Sequence, residues 1–349
     1  MTADASTPVL SRLASRRPGP VASIGLALVA LVVFWLAVNF VKAPGDWIEV
    51  LLIGLTLGCI YALVALGYTL VYGILELINF AHGDVFMLGG MISISIAASF
   101  GLKAGAADLW PLVIVVLLLS MIACGTINAA IEFIAYRPLR GAPRLAPLIT
   151  AIGMSFIIED VGLVWKGPNY INFPDVLPTS NIFSVGGVAV SWTTPIALLI
   201  TVPVLLALLY LVQETRQGKA MRATAQDMEA SAIMGINVNR TISFTFVLAG
   251  SLAGAAGLVY SLTETTVRFD QGFQLGLIAF TSAVLGGIGN LPGAVLGAIL
   301  IGLIQAFNEG LSWNAPGSDW TQSIVFSILI LILVFRPEGL LGERTPEGG

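Results

Sequence analysis

Glu76, Asn79, His82 and Asp84 form a short polar island between two long apolar runs. His82 is the only histidine in the chain. An imidazole flanked by carboxylates can relay protons near neutral pH, and ionisable groups at membrane depth mark transport paths. The plainer reading of His82 is a structural hydrogen bond. A second candidate set is Glu229-Ala230-Ser231 ahead of Gly235, in a hydrophilic stretch. A third is Gly153-Met154-Ser155-Phe156, whose GxSx form could present a nucleophilic serine. Such a serine needs a general base, and His82 is the sole imidazole available. Small residues are common in membrane helices, so one GxSx arises readily by chance. Gly218-Lys219 is followed by Ala220 rather than Ser or Thr, so no phosphate-cradling loop is present. Cys59 and Cys124 both sit inside apolar runs and suggest neither a metal site nor a disulfide framework.

The elements that must position these residues are membrane spans. Hydrophobic residues make up 57% of the 349 positions and charged residues 10%, with a mean hydropathy of +0.93. Soluble domains carry about 25% charge, so that class is excluded. Residues 18–41, 50–75, 85–102, 109–131, 176–213, 241–263, 271–308 and 320–335 hold no Asp, Glu, Lys or Arg. A helical crossing needs roughly 20 apolar residues, and runs this continuous do not suit the alternating strands of a β-barrel. Residues 271–308 would make a helix about 57 Å long, too long for one crossing. The sequence 286–293, GGIGNLPG, splits that run.

Ten hydrophobic segments result: 20–41, 50–74, 84–100, 111–134, 146–165, 193–213, 241–262, 273–287, 293–308 and 320–335. Arg12, Arg16 and Arg17 precede the first, which exceeds the apolar core of about 7–15 residues in a signal peptide. It reads as a retained span. The expected fold is an all-α polytopic membrane protein, one unit over residues 1–349 with some segments broken or re-entrant. Residues 1–19 form a tail.

Alternating the segments sorts the charges. One side receives Arg12, Arg16, Arg17, Arg137, Arg140, Arg144, Arg216, Lys219, Arg222, Arg240, Arg336 and Arg344. The other receives Lys42, Lys103, Lys166 and Arg268. Basic residues accumulate in cytoplasmic loops, so the richer side, with both termini, is expected inside. Glu132, Glu159 and Asp160 lie near span ends. Glu132 and Glu159 are expected to meet loop arginines or headgroups rather than cargo.

The stretch 214–240 carries a helical pattern of its own. Met221, Ala225, Met228 and Ala232 recur on one stripe, with Arg222, Gln226 and Glu229 on another face. Gly235 is placed as the residue that ends such a helix, with Ile236 folding back over its last turn. A short helix with soft and small apolar residues can dock in a partner's groove or lie flat at the bilayer interface. Gly250, Gly254 and Gly257 form a small-residue stripe that lets helices approach closely, within the chain or at a dimer seam. Asn290 with Pro292 and Gly293 interrupts a second apolar run, as Asn79 and Gly83 interrupt the first. Interrupted spans point to a transport path.

Glu229-Ala230-Ser231 with Gly235 resembles the EAA loop of ABC-importer permeases, although Ser231 replaces the second alanine and the later Leu-Pro is missing. Residues 65–73 (ALGYTLVYG), 77–84 (LINFAHGD), 86–89 (FMLG), 137–140 (RPLR) and 335–342 (FRPEGLLG) closely resemble the high-affinity branched-chain amino acid permeases of the LivH type. The resemblance spans about residues 50–342. It implies a bacterial inner-membrane permease that binds no cofactor itself, with ATP used by partner subunits. It also implies a second related permease, two ATPase subunits and an extracytoplasmic substrate-binding protein as partners, and no nucleic acid. Arg222, Ala223, Gln226, Glu229, Ala230, Ser231 and Gly235 would then form the coupling element in a cytoplasmic loop, 214–240. Glu76, Asn79, His82, Asp84 and Asn290 are the candidates for the path. Urea and short-chain amide permeases share part of the LINFAHGD stretch, so they stand as an alternative, with a secondary carrier or channel behind them.

Overall fold

The computed structural model describes residues 20–101, 110–143, 145–174, 182–185, 188–190 and 192–342. Arg12, Arg16, Arg17, Lys103, Arg144 and Arg344 lie outside the described residues, as does the predicted tail. Twelve α-helices occur among the described residues: α1 Pro20–Lys42, α2 Pro44–Leu75, α3 Ala81–Ser99, α4 Trp110–Ile131, α5 Leu145–Lys166, α6 Thr193–Glu214, α7 Arg216–Gln226, α8 Met228–Ile233, α9 Val238–Thr263, α10 Gln271–Gly286, α11 Leu291–Gly310 and α12 Ser318–Phe335. A π-helical turn, Glu132–Tyr136, and a 3-10 turn, Arg137–Leu139, continue α4. Eight of the helices are long and apolar enough to cross a membrane, and α1 and α10 are the shorter apolar pair. Each of the ten predicted segments coincides with one helix.

Two boundaries differ from the sequence reading. The polar island at 76–84 is not one inter-span loop. Only Glu76–Phe80 breaks the helical path, and His82 and Asp84 stand in the first turn of α3. The single helix expected within 214–240 and ending at Gly235 is two helices, α7 and α8, separated by Asp227 in extended conformation. The Asp227 carboxylate accepts the Ala230 N–H at 2.9 Å and starts α8 anew.

Short strands complete the fold. β1, Ile171–Asn172, pairs antiparallel with β4, Thr266–Val267, and β2, Phe183–Val185, pairs with β3, Val188–Val190. The first pair ties the α5–α6 connection to the α9–α10 turn at one end of the bundle. At that same end Trp35 and Asn39 of α1 donate to the Trp313 carbonyl at 3.0 and 3.2 Å. Lys42 lies 4.3 Å from the Trp313 ring. The described basic residues of the richer set gather at the opposite end, around the breaks after α2 and α10. The alternation read from charge is thus the observed arrangement of the loops, with Lys42, Lys166 and Arg268 apart from Arg137, Arg140, Arg222 and Arg240.

The helices differ sharply in what they touch. In the apolar windows of α2 and α3, 78% of residues are buried, against 11% for α12 and 22% for α5. α3 is an axial helix surrounded by protein, and among the eight span-length helices it has the lowest hydropathy, 1.3. A helix this enclosed can carry a buried serine, histidine and aspartate without the cost of placing them in hydrocarbon.

The small-residue stripe of α9 builds this core. A Cβ on Gly250 would fall 2.4 Å from the Cys124 carbonyl oxygen, on Gly254 2.5 Å from that of Ser120, and on Gly257 2.4 Å from the Gly90 nitrogen. The stripe therefore packs within the chain, against α4 and α3. The Ser120 hydroxyl lies 3.2 Å from the Gly89 carbonyl oxygen and 3.1 Å from that of Gly254, so it joins three helices at one point.

Gly257→Val should cost about 1–3 kcal/mol or more, because its new atoms meet backbone rather than a movable side chain. Gly153 has nothing within 4 Å of an added Cβ, so Gly153→Val should leave stability unchanged. Thermal unfolding of the two purified variants in detergent, followed by size-exclusion chromatography, distinguishes them.

Candidate functional site

The basic end carries a surface and a cavity that share residues. The surface is α7 with α8. α7 begins where the Thr215 hydroxyl accepts the Gly218 N–H at 3.0 Å. A Cβ at Gly218 would lie 2.2 Å from the Val212 carbonyl oxygen, so only glycine lets the chain fold back so tightly on the end of α6. Arg222 holds the fold-back by donating from Nη1 to the Val212 and Gln213 carbonyls. These oxygens are left over at a helix C-terminus, where a cation is favoured.

Met221, Thr224 and Ser231 face inward, whereas Ala225, Gln226, Met228, Glu229, Ala230 and Ala232 are exposed. The break at Asp227 explains the difference from a single Met221–Ala225–Met228–Ala232 stripe: Met221 anchors α7 in the bundle, and the other three stay outside. Ala223 is half-buried. Ile233 and Met234 are 85% and 82% exposed, in spite of being the most apolar residues of the element. Gly235 has φ of +85°, and the N–H groups of Gly235 and Ile236 donate to the carbonyls of Ala232 and Ser231 at 3.1 and 3.0 Å. That is the expected helix stop at Gly235.

The cavity has a volume of about 570 Å³. Its walls are residues 69–74 of α2, the last turn of α6, one side of α7 and the break at 288–292. Asn290, predicted on the path, does line it. Its side-chain oxygen caps α11 by accepting the Gly293 N–H at 3.0 Å, and its amide nitrogen donates to the Leu341 carbonyl at 2.7 Å. The FRPEGLLG stretch gains a role here. Leu340 and Leu341 donate to the Leu285 and Gly286 carbonyls at 2.9 and 3.0 Å, which satisfies the end of α10. Gly287, at φ of +109°, turns the chain beneath Gly342 with no space for a side chain.

The other predicted path residues are placed differently. Glu76, in left-handed conformation, ends α2 and lines a second crevice of about 410 Å³ with Arg140 and Met228. Asn79, His82 and Asp84 are buried at 1%, 0% and 0% exposure and line neither opening. Asn79 accepts from the Tyr136 hydroxyl at 2.6 Å. The His82 ring lies edge-on to Tyr68 at 4.9 Å and directly over Gly67, without a hydrogen bond of ordinary geometry. Asp84 accepts from the Ser155 hydroxyl. The serine of the GxSx stretch is therefore engaged by a carboxylate, and the imidazole packs on another helix. No serine–histidine pair is assembled, which removes the geometry a nucleophile needs. Among the described residues no three His, Cys, Asp or Glu side chains are placed to hold a metal ion.

Glu132 meets the expected loop arginines. Fully buried, it takes Arg137 at 3.2 and 3.1 Å, Arg140, and the Ser243 hydroxyl at 2.8 Å. Burial loosens the Arg140 guanidinium's hold on its proton, and Glu132 offsets part of that. The cluster fastens the end of α4 to the start of α9. Thr69 and Gly73 of the cavity fall in the ALGYTLVYG stretch that carries the family resemblance, yet neither they nor Gln213 were expected on the path.

A bundle of apolar helices with a cavity of mixed lining at its basic end, walled by an outlying helical element, defines a multi-pass membrane protein of permease type. The chain belongs to the family described as "branched-chain amino acid transport system / permease component", whose model matches residues 50–334. It is 39% identical over 308 residues to the high-affinity branched-chain amino acid transport system permease protein BraD of Pseudomonas aeruginosa, covering 86% of this chain and 97% of the relative. It is 36% identical over 300 residues to the corresponding protein LivH of Escherichia coli strain K12, covering 84% and 95%. The ribose import permease protein RbsC of the same strain is 27% identical over 280 residues, covering 78% and 80%.

Glu132→Ala should destabilise the protein by about 3 kcal/mol, since it strands two arginines beside a buried site. Arg137→Ala should cost less, because Arg137 is one-third exposed and Arg140 still neutralises the carboxylate. Denaturation midpoints of the detergent-solubilised variants test the order.

Proposed function

We propose that this chain is the membrane-spanning permease subunit of an ATP-driven importer of branched-chain amino acids. The observation that carries the reading is the outlying α7–α8 element, where Ile233 and Met234 stand almost fully exposed beside Glu229. Solvent-facing apolar side chains on a short helix suit a groove in another protein. Family membership supports the choice of machine, and the names of BraD and LivH support the cargo. On this reading the basic end is cytoplasmic, in accord with the positive-inside rule, and both termini are inside. The membrane is a bacterial inner membrane.

ATP is bound and hydrolysed in two partner subunits that grip the α7–α8 element at Arg222, Ala223, Gln226, Glu229, Ala230 and Gly235, with Ser231 of the same element packed inward beneath them. A second related permease completes the pathway, and an extracytoplasmic binding protein delivers the cargo. The chain itself performs no hydrolysis and holds no cofactor. Of the path residues, Glu76 and Asn290 border the openings at this end. Asn79, His82 and Asp84 act from within the bundle by fixing α3 against its neighbours.

Ile233→Asp and Glu229→Lys should each lower uptake of labelled leucine by at least about tenfold, the loss expected when a buried interface anchor is replaced by a wrong charge. The amount of protein in the membrane should not change. Cells lacking the chain, complemented with each variant and assayed for leucine and urea uptake, provide the measurement. Unchanged leucine uptake in both variants removes the coupling assignment, and dependence of urea rather than leucine uptake on the chain replaces the cargo.

A further inference from the structure

Thr69 behaves unlike comparable threonines in the bundle. Threonine hydroxyls inside helices commonly donate to the carbonyl four residues earlier, as Thr56, Thr245 and Thr281 do here at 2.9, 3.0 and 2.9 Å. The Thr69 hydroxyl makes no hydrogen bond although the residue is 2% exposed. Thr201 shares that lack but lines neither of the two openings described above, whereas Thr69 lines the 570 Å³ cavity. A buried polar atom without a partner has a reason. One turn further on, Gly73 leaves the cavity clear: a Cβ there would meet only the Gly289 Cα, at 4.0 Å.

The charge of the cavity has one sign. Arg222 lines it and holds the Val212 and Gln213 carbonyls through Nη1 alone. No carboxylate is among the lining residues. The remaining walls include Leu70, Ile74, Val212, Met221 and Leu291, all apolar. Ligand sites are concave spaces of roughly 300–1,000 Å³, mostly apolar, with a few convergent polar groups. This cavity meets each criterion.

We infer that the cavity is a cargo site on the coupling side of the bundle, built for a small solute that carries a carboxylate and an apolar body. The carboxylate meets the free donors of Arg222, the turn of α2 that carries Thr69 and Gly73 forms the inner wall, and the apolar body lies against α2 and the α10–α11 break. The inference rests on the importer reading and deepens it, because Met221, Arg222 and Ala225 belong to the element assigned to coupling. The cargo site and the coupling element share a wall. A displacement of α7 then reshapes the site directly, with no relay through the bundle.

The test uses the assembled transporter in lipid nanodiscs, with a cysteine placed by Gly73→Cys. The native Cys59 and Cys124 are 5% and 0% exposed and give little background. A sulfonate-bearing methanethiosulfonate should label the new thiol on the order of tenfold faster than its trimethylammonium counterpart, by electrostatic focusing in the cavity. Arg222→Gln should abolish that preference. Leucine should slow the labelling, and leucinamide, which lacks the carboxylate, should not. In cells, Gly73→Trp should cut leucine uptake at least about tenfold by filling a space of ligand size, whereas Gly153→Trp, directed into open space, should not. Equal labelling by the two reagents, or full uptake with Gly73→Trp, overturns the inference. If the wild-type complex moves no leucine, the importer reading falls instead, and the charge preference still decides whether the cavity selects anions.

Discussion

Close approach of helix backbones is the constraint on which this structure depends. Inside a bilayer, association of apolar helices gains nothing from leaving water, so dispersion contacts and polar bonds must hold them together. Contacts of that kind weaken quickly with distance. The glycines of α9 bring its backbone onto α3 and α4, and Gly302 of α11 does the same for α2, where an added Cβ would fall 2.4 Å from the Gly58 nitrogen. Once the backbones are this near, a small hydroxyl such as that of Ser120 can reach carbonyls on two other helices. The central trio α2, α3 and α9 is therefore rigid, and α5 and α12 cover it with side chains suited to lipid.

That rigid centre permits what the basic end does. Broken helices expose backbone groups that lipid cannot satisfy, so breaks occur only where protein covers them or a cavity opens. Both breaks here obey the rule. The break after α2 is covered by Tyr136 and the Glu132–Arg137–Arg140 cluster, and the break after α10 by the segment 336–342. The opposite end is closed by the β1–β4 pair and the Trp313 contacts with α1. Irregular backbone, the exposed α7–α8 element and the cavity thus share one end of the molecule, the end at which force from a partner would enter. Two of them are joined by a single side chain, since Arg222 both pins α7 to α6 and lines the cavity.

Much of this was legible in the residues. The ten helices follow from the absence of charge, the sorting of the loops from arginine and lysine, the packing of α9 from three glycines, and the helix stop at Gly235 from its position. The start of α3 lies before Asp84 rather than at it, although a carboxylate ordinarily marks the edge of a span. Inside a bundle a carboxylate can pair with Ser155 and remain buried, so charge marks the lipid boundary only for helices that face lipid. The Asp227 break carried a local signal, an aspartate placed to cap the next turn, which the regular spacing of Met221, Ala225, Met228 and Ala232 obscured. The cavity carried a signal for a path only at the Asn290 break. Its walls come from four separated stretches of chain, and Thr69 and Gly73 become meaningful only when α2 lies beside the 288–292 break.

The separation of packing from lining bears on how such a scaffold accommodates different cargo. A relative named for ribose import aligns over 78% of this chain, so the shared architecture does not by itself dictate what is carried. The residues that draw the backbones together, among them Gly58, Gly250, Gly257 and Gly302, are absent from the cavity lining. The side chain that gives the cavity its positive sign, Arg222, sits at the α6–α7 junction, and Thr69 lines the cavity from α2, away from the glycine contacts. Substitutions at these two positions can alter what the cavity accepts while leaving the glycine contacts intact. Changes at the glycines would disturb every helix at once. A bundle organised in this way confines chemical choice to a few positions beside the α7–α8 element, where the proposed binding and the proposed coupling would act on the same wall.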